Sequence, residues 1–266
     1  MKPRCLIFGL GYTAARIALA LDACGFEVIA TGRDGQLSFD DHGSVRLALA
    51  DASHVLSSVP PAGLPHKNEG LDPVLDCYGD ALHGKHWIGY LSSTGVYGDT
   101  GGAWVDESAP IGTGRRSARS EADLAWQALG ARVFRLPGIY GPGRSVFERV
   151  AAGTAQRIDQ PGQVFSRVHV NDIVNGVLAA LDAPAGTYNL SDDEPASQNT
   201  LIEHACRLMC RDPPPLLALD EANLSPMARG FYAEDRRVAN GKAKRVLGWA
   251  PAFPSYREGL ASLLAV

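Results

Sequence analysis

Apolar residues up to Tyr140 recur in two rhythms. Short runs rich in branched and aromatic side chains, at residues 5–8, 27–31, 37–39, 54–59, 87–91 and 132–135, read as strands. Stretches at 13–23, 44–52, 73–82 and 119–129 carry helical spacing between them. Strands that alternate with helices must lie parallel, with the helices covering both faces, so the predicted class is α/β: a doubly wound parallel Rossmann sheet with a short connection between the second and third strands.

The rhythm changes after Tyr140, where Gly141, Pro142, Gly143, Gly153, Pro161 and Gly162 cut the chain into short pieces. A helix at 172–181 and a strand at 187–190 add one more unit to the sheet, and the remainder mixes helices with connections such as Pro213, Pro214 and Pro215. This predicts a smaller C-terminal lobe interleaved with the sheet. Residues 1–141 and 165–190 would form the dinucleotide-binding domain, and 142–164 with 191–266 the substrate-side lobe.

Composition narrows the partners. The 266 residues are 45% hydrophobic and 20% charged, enough for a large core, and the net charge of -4 with scattered Lys and Arg gives no basic face for nucleic acid. No apolar run approaches the roughly 20 residues that span a bilayer, and the N-terminus enters a strand, not a signal peptide, so a cytoplasmic protein is expected. The five cysteines are dispersed, which argues against a disulfide framework. Cys206, Cys210 and nearby His204 lack a second ligand pair, so no metal is expected.

The sharpest motif is CLIFGLGYTAARI at 5–17, in which a strand runs into Gly9, Gly11 and Ala14 in the G-x-G-x-x-G/A arrangement and opens a helix. Gly9 permits the turn, Gly11 removes a Cβ that would strike a pyrophosphate, and Ala14 lets the helix pack close to the strand. Backbone N–H groups near Tyr12 and Thr13 would face the phosphates. At the end of the second strand stand Thr31, Gly32, Arg33 and Asp34. A guanidinium there suits the 2'-phosphate of NADP, whereas Asp34 as a ribose ligand would suit NAD; the balance favours NADP.

Further blocks are YLSSTGVYGD at 90–99, VDESAP at 105–110, RLPGIYGPG at 135–143, RVHVNDIVNGVLAAL at 167–181, GTYNLSDDEP at 186–195 and KAKRVLGWAP at 242–251. In order and spacing they resemble the extended short-chain dehydrogenase/reductase superfamily, the NAD-dependent epimerases and dehydratases, over nearly the whole chain. The resemblance implies a Ser or Thr that orients the reacting oxygen, which Ser93 matches, and a Tyr followed four residues later by a Lys. Counting back from Glu121 as the helix acid puts Thr113 and Ser117 in those two places, and neither can supply the chemistry. Arg115, Arg116 and Arg119 nearby are permanently charged, able to stabilise charge but not to transfer protons. Thr94 and Gly95 stand where the dehydratases carry Asp and Glu, and Phe165 where nucleotide-sugar enzymes carry a diphosphate-gripping Arg, with Arg167 in the neighbouring register. The chain therefore resembles an atypical branch that lacks the acid–base pair.

Candidate cofactor-binding residues are Gly9, Gly11, Tyr12, Thr13, Ala14, Arg33, Ser58, Ser92 and Ser93. Ser93 is also the catalytic candidate, with a helix-cap role as its alternative. Arg144 and Tyr140 are candidates for substrate binding, although core packing is favoured for Tyr140 and Tyr97, and His169 reads as a hydrogen-bonded core histidine. An NADP-dependent oxidoreductase or epimerase-like enzyme acting on a small polar molecule, a sugar derivative being one candidate, is favoured over a non-catalytic NADP(H) sensor.

Overall fold

The computed structural model describes residues 2–61, 72–112 and 117–264, with backbone alone at 117 and 226–228. In chain order the elements are β1 (Arg4–Phe8), α1 (Tyr12–Ala23), β2 (Glu27–Ala30), α2 (His42–Asp51), β3 (His54–Ser57), α3 (Pro73–Tyr78), β4 (Trp87–Ser93), β5 (Trp104–Val105), α4 (Ser117–Ala128), β6 (Arg132–Leu136), β7 (Gly138–Tyr140), α5 (Val146–Ala151), β8 (Arg157–Ile158), β9 (Arg167–His169), α6 (Val170–Ala179), β10 (Gly186–Asn189), α7 (Gln198–Leu208), β11 (Leu216–Leu217), α8 (Pro226–Phe231), β12 (Arg237–Val238), α9 (Gly241–Leu247) and α10 (Tyr256–Leu264). Six strands make one sheet in the order β10-β6-β4-β3-β1-β2, every neighbour parallel.

The period of two along β1 shows why the sheet is covered twice. Cys5 and Ile7 point into a cluster with Ala14, Ile17 and Leu21 of α1 and Ile173 and Val177 of α6. Leu6 and Phe8 point into the opposite cluster, with Val45 and Leu49 of α2, Tyr78 of α3 and Trp126 of α4. Three two-residue or three-residue ladders, β5 with β12, β7 with β9 and β8 with β11, accompany the later chain. A third apolar cluster gathers Tyr140, Val150, Leu201, Ile202, Tyr256 and Leu260.

One predicted strand is corrected. Residues 37–39 make only a single bridge, Thr31 to Leu37. The chain turns back tightly after β2, with Gly35 N–H donating to Gly32 O at 3.1 Å, and Gln36 Oε1 accepts the outward N–H of Ala30 at 2.9 Å. With the edge of β2 capped by this turn, no room remains for a paired strand. Leu37 and Phe39 spend their alternation on packing, Phe39 lying edge-on to Phe8 and Tyr78. No helix among the described residues is long and apolar enough to cross a membrane.

Candidate functional site

The turn after β1 is held from both sides. Gly9, at φ +82°, donates its N–H to Thr31 Oγ1 at 3.2 Å and accepts Ser58 Oγ–H at 2.6 Å. A Cβ at Gly9 would lie 2.9 Å from Ser58 Oγ, so glycine is required there for conformation and for space. Gly11 differs. Its backbone, φ -84° and ψ -171°, suits any residue, and a Cβ there would meet nothing within 4 Å. Gly11 is the N-cap of α1 and offers no side-chain cap, whereas Asp41, Asp72, Ser145, His169 and Ser197 cap α2, α3, α5, α6 and α7. The first amides of α1 thus open, uncapped and beside empty space, at the C-terminal edge of the sheet.

A cavity of about 880 Å³ lies there. It brings together Gly11, Tyr12, Thr13, Ala14, Ser58, Ser92, Ser93 and Arg144 of the expected residues. Tyr12 is fixed by its own neighbours: its hydroxyl donates to Pro142 O at 3.1 Å, and the Arg16 and Arg144 guanidinium carbons lie 3.9 and 5.6 Å from its ring centroid. Arg33 is exposed at the turn after β2, outside the cavity lining. Tyr140 does not line this cavity. It lines a neighbouring hollow of about 390 Å³, its ring is buried in the third apolar cluster, and its hydroxyl donates to Ser255 O at 3.4 Å.

Ser92 and Ser93 end β4 and face different tasks. Ser93 Oγ accepts the N–H of Gly95 at 3.1 Å and so caps the short helix Thr94–Tyr97. Ser92 Oγ–H is donated to Asp123 Oδ2 at 2.6 Å. Asp123 is fully buried and bound by Arg135, Nη2 to Oδ1 at 2.8 Å and Nε to Oδ2 at 3.1 Å, an ion pair with 3% and 0% side-chain exposure. Arg135 also donates to Tyr97 Oη at 3.0 Å, and Tyr97 donates to Asn189 Oδ1 at 2.8 Å. Burial pushes the phenols of Tyr97 and Tyr90 up to about 12 and that of Tyr140 higher still. None of the three is a proton donor poised near neutral pH.

The C-terminal chain closes the far side of the cavity. Five arginines line it, 119, 144, 149, 167 and 236, against one described acid, Glu234, whose carboxylate sits 2.9 Å from Arg236. Lys, His and Cys are missing among its described lining residues. Arg167 is wholly buried and donates to the carbonyls of Phe165, Ala196 and Ser197 and to Gln198 Oε1, which ties β9 to α7. His169 Nδ1 accepts the N–H of Asn171 at 3.2 Å, so the histidine caps α6 itself; burial lowers it to about 4 and keeps it neutral. Asp172, in the first turn of α6, accepts the N–H groups of Ala252 and Phe253. Cys206 is buried and Cys210 exposed, and no group of three or more His, Cys, Asp or Glu among the described residues could hold a metal.

Next to this wall Asp192 is buried, and loss of water raises its carboxyl from 3.8 to about 8. A raised folded value means that its stabilising proton is fully bound below pH 3.8 and is lost as pH rises through about 8. Asp192→Asn is expected to flatten the fall of the unfolding free energy across that window by a few kcal/mol, on the order of what such a shift implies. An unchanged slope in urea titrations at stepped pH would exclude Asp192 as the source.

No model of a known protein family matches the chain. A conserved protein of unknown function from Silicibacter pomeroyi has a similar structure over 99% of both chains, with 40% identity and a TM-score of 0.86. The human epimerase family protein SDR39U1, isoform 2, solved with NADPH, covers 98% of this chain and 99% of its own at 17% identity and a TM-score of 0.80, and so shares the fold. A Streptomyces protein, 3-diazoavenalumate denitrifying reductase, is 32% identical over 178 residues, 59% of this chain and 58% of the relative. The match thus spans little more than half of that curated relative. With these solved structures the chain shares its α/β fold, a six-stranded parallel sheet covered on both faces.

Burial sets the register of α4 in the superfamily pattern that the sequence resembles. Glu121 is exposed, and the acid that faces the sheet is Asp123. Counting from Asp123 moves the lysine position from Ser117 to Arg119 and the tyrosine position from Thr113 to Arg115. Thr113, Arg115 and Arg116 lie outside the described residues, as does the side chain of Ser117. Arg119 lines the main cavity and donates to Tyr90 Oη at 3.2 Å.

Proposed function

We propose that this chain binds a nicotinamide dinucleotide across the C-terminal edge of its sheet, prefers NADP(H), and uses it to reduce a small anionic molecule. The observation that carries the reading is the uncapped start of α1, where Gly11 opens onto about 880 Å³ of space. Gly11, Tyr12, Thr13 and Ala14 would receive the diphosphate, and Ser58 supports them by fixing Gly9 O. Arg33, exposed beyond β2, would grip a 2'-phosphate. Ser92 and Ser93 would lie under the other half of the dinucleotide. When bound, the nicotinamide supplies a hydride.

The arginine-rich far wall, Arg149 and Arg144 above all, favours a substrate with a carboxylate or phosphate. Ser93 would orient the reacting group, its hydroxyl hydrogen pointing away from the bond that it accepts from Gly95. Burial raises the two phenols that line the cleft, Tyr12 and Tyr232, which favours a reduction completed by charge stabilisation and solvent over an epimerisation that needs a phenol. The relative whose name describes a reductase agrees with this choice.

Titration calorimetry with NADPH and NADH tests the reading, followed by turnover assays with a panel of small carboxylates and carbonyl compounds. Arg33→Ala is expected to weaken NADPH by about tenfold, about 1.4 kcal/mol, and to leave NADH within about twofold. Equal losses would remove the 2'-phosphate assignment. A chain that binds dinucleotide tightly yet reduces nothing in the panel would point to a sensor.

A further inference from the structure

Resting on the proposal that the arginine-lined wall receives an anionic molecule, we infer that the end of the cleft bounded by Phe165, Phe231 and Tyr232 binds a planar aromatic ring whose carboxylate is held by Arg149. All three rings line the main cavity. Phe165 and Tyr232 are half-buried and meet edge to face, with centroids 5.6 Å apart and planes at 90°. Two rings at right angles form a corner in which a third can stack on one and turn its edge to the other, the two arrangements that aromatic pairs prefer. Phe231 ends α8, next to Tyr232 in the chain, and is 48% exposed. Of the exposed large apolar side chains among the described residues, it alone lines the main cavity. Val164, Leu224 and Val238 continue the apolar lining around it. Apolar surface left wet in a cleft gains from being covered, and a flat apolar ligand covers it.

The charge at this corner selects the polar end of the ligand. Arg149 and Arg167 both draw the Tyr232 phenol down against the burial that raises it, so both cations stand beside the aromatic corner. They are not equivalent. Arg167, with Cζ 5.9 Å from the Phe165 ring centroid, donates to the carbonyls of Phe165, Ala196 and Ser197 and to Gln198 Oε1. Arg236 is paired with Glu234 and donates to Gly98 O. Arg149 is exposed on α5, and its side chain makes no hydrogen bond or ion pair among the described residues. Its fork of N–H donors is open to a ligand and matches a carboxylate in a bidentate contact. A right-angled pair of rings beside an open guanidinium is a recognition pattern for an aryl carboxylate.

The test titrates the full chain with trans-cinnamate by calorimetry, without and with whichever of NADPH and NADH binds more tightly. Two controls divide the chemistry: cyclohexylpropanoate keeps the acid without the flat ring, and cinnamamide keeps the ring without the charge. Cinnamate is expected to bind about tenfold more tightly than either. Phe231→Ala is expected to weaken cinnamate by about fivefold and cyclohexylpropanoate by less than about twofold. Arg149→Gln is expected to weaken cinnamate by about tenfold and cinnamamide by less than about twofold, and both variants should melt like the parent chain. Cyclohexylpropanoate as tight as cinnamate, or either variant indifferent to cinnamate, would overturn the assignment. So would UMP that binds more tightly than cinnamate and displaces it, because the ring would then be a nucleobase. A chain that binds dinucleotide but not cinnamate removes this subsite alone. The expected cinnamate pattern in a chain that binds no dinucleotide keeps the subsite and removes the cofactor reading.

Discussion

Gly11→Val is expected to fold and melt like the parent chain while binding dinucleotide about 100-fold more weakly, about 2.7 kcal/mol. The two halves of that outcome have separate causes. Gly11 has ordinary extended angles and nothing within 4 Å of its missing Cβ, so a branched side chain strains neither backbone nor core. The same side chain would project into the space in front of the first amides of α1, where a diphosphate must come within hydrogen-bond distance. Gly9 offers the control: a substitution there meets both φ +82° and the Ser58 and Val59 side chains, so it should damage stability first. Thermal melting and calorimetry on Gly11→Val decide the matter. Retained affinity would place the diphosphate elsewhere, and a collapsed fold would show that the space at Gly11 serves the protein itself.

Asp123→Ala should cost about 3–5 kcal/mol, because it leaves the guanidinium of Arg135 buried without its counter-charge. In a chain of this size that corresponds to a fall in melting temperature on the order of 10 °C. The loss comes from stranding a charge, so it should be largely undone by Asp123→Leu combined with Arg135→Met, which removes both partners. Urea denaturation of the single and double variants separates the cases. If the double variant is as unstable as Asp123→Ala, the damage lies in the bond from Ser92 or in packing, not in the orphaned arginine. Because Ser92 hangs on Asp123, the single variant should also loosen the end of β4.

The βαβ half of the fold was legible because its signals are local. The two faces of β1, the glycine turn and the start of α1 each depend on neighbours within a few positions. The α4 register was not legible for a geometric reason. Glu121 and Asp123 stand two apart, which on a helix puts them roughly 200° around the axis from each other. Only the presence of Arg135, on a separate strand, decides which acid turns inward. The choice of Glu121 displaced the lysine position by two residues and hid Arg119. The far wall was equally opaque. Its ladders β5, β8, β11 and β12 are two residues long, too short to show any period, and Arg149, Arg236 and Glu234 meet across the fold from sequence-distant segments. Leu37 and Phe39 show the reverse failure, a true alternation whose sheet edge was already occupied.

Among the described residues the far wall carries its positive charge on guanidinium groups alone, and this sets how the molecule can be interrogated chemically. Acylating agents that seek amines and alkylating agents that seek thiols find no anchor among the described residues of the cleft. They will mark outlying positions such as Cys24 and Cys210 instead. Dicarbonyl reagents that condense with arginine are the covalent reporters suited to this cleft, and protection from them by a bound ligand would trace its footprint.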